Sequence, residues 1–171
     1  VDAVIEFLTK CGAAEIDHPG GTLLAHLQRV HAVLARWGAR PAVQSAGLCH
    51  AYYGTDGFPV ALGEVSRRDD LANVIGDEAE QIVYFYASCD RAFSYPRLAN
   101  GGEFRDRFNG TTSVPPESGL RDFAEITVAN ELDVLAENAD LRARYGPKLL
   151  ALFASWQHLL SPAAREAVAR S

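Results

Sequence analysis

The sequence predicts an all-α domain on three observations. Apolar residues recur at three- and four-residue steps along most of the chain. Strict alternation is almost absent, and glycine and proline fall where the periodic stretches stop and start. At 171 residues the chain is about one domain's worth, long enough to bury roughly 70% of its unfolded surface in one core. Residues 1–171 therefore read as a single helical domain.

The first helix is expected over about residues 2–11, with Val4, Ile5 and Leu8 on one face and Gly12 as its stop. A second follows the Gly20-Gly21-Thr22 turn and ends at Gly38. Its stripe of Leu23, Leu27, Val30, Leu34 and Trp37 has the spacing of a buried helix face. Pro41 suits the first turn of a third helix, roughly Pro41 to Tyr53, whose Ala42, Ala46 and Gly47 permit close packing. Residues 54–64 read as loop. Ser66 and Asp77 read as N-caps of two short helices, the second with an Asp77-x-x-Glu80 capping box before an apolar run at 82–86. From Cys89 to Ser118 prolines and glycines break every period, which predicts a long irregular insertion. Within it, residues 94–116, with Arg97, Arg105 and Arg107, read either as a lid or rim over a cleft or as a surface wrap. Helices over 119–137 and 147–160, and a last one capped by Ser161-Pro162, complete the chain.

Hydrophobic residues make up 48% and charged residues 22%, which excludes disordered and low-complexity classes. The net charge of -6 repels phosphate backbones and acidic membrane surfaces, so nucleic acid and membrane are not expected partners. No apolar run approaches the ~18 residues of a membrane span, and no export signal is evident. Three widely spaced cysteines, Cys11, Cys49 and Cys89, form no CxxC pair and suit a reducing cytoplasm. Met is absent even at position 1, so Val1 is not expected to be the initiator. Nothing here sets the oligomeric state.

The sequence holds five histidines, His18, His26, His31, His50 and His158, and each needs a role. His26 lies at the edge of the apolar stripe of the second helix, and His50 shares a helical face with Val43, Ala46, Gly47 and Tyr53. His18 sits in the turn before the second helix, eight residues ahead of His26. Any one of them alone reads as a satisfied core histidine, and His31 and His158 are left so. Three inward imidazoles suggest more, because neutral imidazole is both a common metal ligand and a general base.

The segment from His18 to Phe58 resembles the start of an HD-domain metal-dependent phosphohydrolase, especially the hydrolase domain of the stringent-response nucleotide enzymes. There a helix carrying the first metal histidine is followed 24 residues later by a His-Asp pair, the step from His26 to His50 here, and "SAGLCH" stands where the small apolar run precedes that pair. "VIGDEAEQIVYF" and "ITVANELDVL" resemble the family's later helices, the second bringing the last metal aspartate. A group of HD-like domains with "HxGxTLLxHL" and "AGLxHxxYGTxxF" motifs is more similar still, over most of Val1 to Asp140.

The chain departs from the HD pattern in its carboxylates. Ala51 stands where the His-Asp aspartate would be, Gly54-Thr55 replaces a Glu-Asp pair, and Asn130 takes the last aspartate's place, or Asp133 if the register shifts by one turn. The expected site is therefore a His-lined pocket in an HD-like bundle that acts on a small molecule, with hydrolysis the default reaction. Its catalytic candidates are His26, His50, Tyr53 and Asn130, and Asp56 and Arg91 are substrate-binding candidates. His18, His26 and His50 form a possible ligand set for a divalent Fe, Mn or Zn ion. Oxygenase chemistry, metal-free acid–base chemistry and non-catalytic binding are the alternatives. Tyr52 to Thr55 reads as a helix end or a pocket lip, and Asp90-Arg91 as a helix-end ion pair or an anion site.

Overall fold

The computed structural model describes residues 1–171 as nine helices and two very short antiparallel strand pairs. They run α1 (Asp2–Lys10), β1 (Asp17–His18), β2 (Gly21–Thr22), α2 (Leu23–Arg36), α3 (Pro41–Leu48), α4 (Arg68–Ile75), α5 (Asp77–Ala87) and α6 (Arg91–Leu98). After these come β3 (Phe104–Arg105), β4 (Thr112–Ser113), α7 (Glu117–Glu137), α8 (Ala139–Ser155) and α9 (Pro162–Ala169). The architecture is mostly helical, as the periodicity predicts, and no helix is long and apolar enough to cross a membrane.

Helix α7 is the hub. Its run from Phe123 to Asn130 is buried on every face, because α2, α5, α8 and α9 all pack against it. Helix α2 starts where the Thr22 hydroxyl accepts from the Ala25 amide, and it buries Leu23, Leu27, Val30 and Leu34 completely. The small residues of α3 do what their size suggests: a Cβ at Gly47 would overlap the Leu34 side chain, so α2 and α3 approach closely.

Several boundaries differ from expectation. Helix α3 stops at Leu48, and turns at 49–53 then lead to Gly54, whose φ of +70° reverses the chain. Ser66 lies in a 3-10 turn (Val65–Arg67), so α4 starts at Arg68, one residue later than a Ser66 cap implies. Asp77 is the first residue of α5 and makes no capping bond, because Gly76 at φ +87° takes the cap position. Helix α8 begins at Ala139, capped by Asn138, whose side chain accepts from Leu141, and it runs through Pro147 rather than starting there. The stretch after Cys89 is more ordered than its prolines and glycines suggest. Asp90 caps α6, accepting from the Phe93 amide, and α6 continues through Pro96.

Candidate functional site

The site grows from the turn before α2. Pro19 and Gly20 form the corner between β1 and β2, where Gly20 takes φ +83° beside a proline whose φ is fixed negative, the signs of a type II turn. This corner lays the His18 ring over His26, with centroids 4.0 Å apart and planes inclined by 24°. His50, just past the end of α3, meets His26 edge-on at 5.2 Å and Tyr86 of α5 at 5.3 Å. The three imidazoles expected from the sequence are thus brought together.

His26 is wholly buried and held at both nitrogens. Nδ1–H donates to Asp133 Oδ2 over 2.6 Å. Nε2 lies 2.9 Å from the Asn130 amide oxygen, and the amide nitrogen of the same side chain donates to Glu131 Oε1 over 3.3 Å. Asn130 and Asp133 are one turn apart on α7, so the two alternatives left open by the sequence both engage His26, one at each nitrogen. Arg29 closes the group: Nε and Nη2 donate to Asp133 over 2.8 and 2.9 Å, and Nη2 also reaches the Pro19 carbonyl at 3.2 Å. One guanidinium therefore ties α7 to the turn that carries His18. Burial alone would raise the Asp133 carboxyl, yet its bonds to His26 and Arg29 hold it below the usual carboxylate range.

In front of this group lies a cleft of about 170 Å³. His18, His50, Thr55, Arg91, Asn130 and Glu131 supply its polar wall, and Leu23, Phe58, Val134 and Leu141 much of its apolar wall. His50 donates from Nδ1 to the Gly47 carbonyl at 2.8 Å, which leaves Nε2 as the lone-pair nitrogen. Burial, reinforced by His26, pushes His50 down to about 3 and His18 down to about 4, so both rings are neutral near pH 7. His18 Nδ1 is buried without any hydrogen-bond partner.

These positions correct several expectations. His26 does not line the cleft; it stands behind the wall, in contact with the wall residues Asn130 and His18. Tyr53 is outside the site as well, because its hydroxyl donates to the buried Glu80 over 2.7 Å. Arg68 grips the same carboxylate with two bonds of 2.7 and 2.6 Å. Asp56 accepts from the Arg91 backbone amide at 2.8 Å and does not line the cleft, whereas Arg91 does. No residue of 94–116 lines it either. That segment wraps α5 instead, with Phe104 stacked on Phe85 at 4.3 Å, the Tyr84 hydroxyl donating to Asp106 and Arg107 Nε donating to the Ala87 carbonyl. His31 is half-buried and His158 exposed, both away from the cleft.

The donor set does not fit a metal ion as it stands. Both His26 nitrogens are engaged, and the nearly parallel His18 and His26 rings direct their in-plane lone pairs side by side rather than to one point. No group of three or more His, Cys, Asp or Glu side chains is arranged to hold an ion.

Sequence reasoning missed Arg29 and Glu131. Arg29 was legible as a residue one turn beyond His26 on the same helix face. Glu131 was hidden because the preceding run of α7, residues 123–130, is buried on every face, which erases the amphipathic signal that would show which side meets the cleft.

Residues 7–91 match the family model described as a domain of unknown function (DUF6817). The match covers just under half of the chain and takes in His18, His26, His50 and Arg91, while α7 lies beyond it. No curated protein and no solved structure matches the chain.

Proposed function

We propose that the chain is a degenerate HD-like helical bundle whose cleft binds a small molecule and acts on it by acid–base chemistry without a metal ion. The neighbouring placement of His26 on α2, Asn130 on α7 and His50 just past the end of α3 supports the HD-like reading. The observation that carries the functional reading is the buried, unpartnered Nδ1 of His18 on the cleft wall. Leaving such a group unsatisfied costs about 1–3 kcal/mol, which a ligand in the cleft recovers. His50 Nε2, fixed as an acceptor by the Gly47 carbonyl, takes a hydrogen bond from a substrate O–H or N–H. In the hydrolysis that the HD resemblance implies, that nitrogen takes the proton of the attacking water and returns it to the departing group as the scissile bond breaks. Asn130 orients the reacting group, and Asp133 with Arg29 holds His26 behind it.

A second reading, binding without turnover, draws on the low basicity of His50. A ring pushed down to about 3 is far from the value near 7 that suits a general base. Both readings are tested by incubating a small-metabolite extract with the full chain in EDTA and following it by mass spectrometry. Consumption of a metabolite by the wild type, abolished in His50→Gln, supports the enzyme. A metabolite retained unchanged through gel filtration supports binding alone. Turnover that requires an added divalent ion overturns the metal-free reading.

A further inference from the structure

Three carboxylate–arginine pairs in this molecule are well buried on the acid side, and one of them is built differently. Arg29–Asp133 and Arg68–Glu80 are two-bond forks, with all four N–H···O distances between 2.6 and 2.9 Å. Arg91–Glu131, on the cleft wall, has a single contact of 3.2 Å from Nη1 to Oε1. That same Oε1 takes the Asn130 amide at 3.3 Å, while Oε2 accepts nothing. A guanidinium has five N–H donors, and this is the one side-chain bond that Arg91 makes from it. The pair is nonetheless only 23% and 12% exposed, so water satisfies its open valences poorly. A Cβ at Gly57 would lie 2.5 Å from Arg91 Nη1, so glycine there leaves the guanidinium room. Two buried phenols packed near it, Tyr86 and Tyr95, also lack hydrogen-bond partners.

The two pairs whose acids are buried more deeply close into a fork, the usual geometry of a packed guanidinium–carboxylate pair, and the Arg91–Glu131 pair does not. We infer that the open Arg91–Glu131 pair is the recognition element for a small zwitterion, an amino-acid-sized molecule with both a carboxylate and an ammonium group. The carboxylate meets the free N–H groups of Arg91 and the ammonium meets Glu131 Oε2. The apolar substituent lies against Leu23, Phe58 and Val134, and the His18 and His50 nitrogens face what remains. A singly charged ligand fits less well, since an anion on Arg91 also faces the Glu131 carboxylate, and a cation on Glu131 also faces Arg91. This inference rests on the cleft being the binding site and adds the class of molecule it takes.

The test is calorimetric titration of the full chain with α-, β- and γ-amino acids of up to about ten heavy atoms, a size suited to the cleft volume. The best binder is then compared with its amide, which keeps only the ammonium, and its N-acetyl derivative, which keeps only the carboxylate. Loss of one charge-assisted hydrogen bond weakens binding about ten- to a hundredfold, and each derivative is expected to show that loss. Arg91→Gln and Glu131→Gln should weaken the parent amino acid similarly, and the comparison of derivatives on the wild type stands even if a variant misfolds. The inference is overturned if no amino acid binds, or if either derivative binds as tightly as the parent. A derivative that binds as tightly but is lost in His50→Gln leaves the cleft reading intact and removes only the zwitterion. A wild type that neither retains nor consumes any metabolite from the extract removes the cleft reading itself.

Discussion

Replacing Asp133 with alanine tests the group that holds the site together. The carboxylate is only 8% exposed and accepts from His26 Nδ1 and twice from Arg29. Removing it leaves the buried His26 N–H without an acceptor and frees Arg29 from its only carboxylate partner. Breaking a buried pair costs about 3–5 kcal/mol. Arg29 is 30% exposed and retains the Pro19 carbonyl, which lowers the expected loss to about 2–4 kcal/mol. In a chain of this size that is a fall in Tm of roughly 4–16 °C. Asp133→Asn, which keeps an acceptor for His26 but loses the charge, should fall between the two. Because the folded carboxyl lies below its ordinary value, its contribution is complete above the unfolded pKa near ~4 and fades as pH drops through the lower folded value. Urea denaturation of the three proteins at pH 7 and pH 3 reads both effects. An Asp133→Ala protein within about 0.5 kcal/mol of wild type at pH 7, the range of an ordinary surface change, would show that this carboxylate does not hold His26 and Arg29 in place.

Two further outcomes follow from the same geometry. His50 is fully buried with its folded value down to about 3, so the unfolded chain binds the proton more readily and stability falls as pH drops below about 6.5. His50→Gln should remove about 2 kcal/mol of the loss between pH 7 and pH 5, seen as a flatter stability profile; an unchanged slope counts against a buried neutral ring. Gly20→Ala places a side chain at φ +83° and against the Glu137 side chain, 2.6 Å from Oε2. It should cost about 1–2 kcal/mol and shift the ring resonances of His18, and a neutral effect on both would show that the Pro19–Gly20 corner does not position that ring.

Much of this molecule is legible in its sequence. The Leu23-to-Leu34 stripe and the Gly47 approach follow directly from side-chain period and size. The convergence of His18, His26 and His50 was legible from the turn before α2 and from the 24-residue step between His26 and His50. What the sequence hid were long-range partners. Tyr53 sits three residues from His50, yet its hydroxyl is claimed by Glu80 from α5, a pairing no local pattern announces. The Pro/Gly-rich stretch around 94–116 signals irregularity but not location, and aromatic packing of Phe104 on Phe85 decides that it covers α5 rather than the cleft. Pro147 illustrates the limit of punctuation: it reads as a helix start, while the Asn138 cap and the packing of α8 on α7 set the start eight residues earlier.

Two neutral imidazoles, His18 and His50, line the cleft in front of a locked His26. Long-range proton–nitrogen correlation spectra of the histidine rings, recorded on the full chain from pH 7.5 to pH 5, test this arrangement most directly. His18 and His50 should keep neutral-ring nitrogen shifts throughout, as values of about 4 and about 3 require. His50 should show Nδ1 as its protonated nitrogen. Titration of either ring with a midpoint near ~6.5, the value of a solvated histidine, would contradict the account.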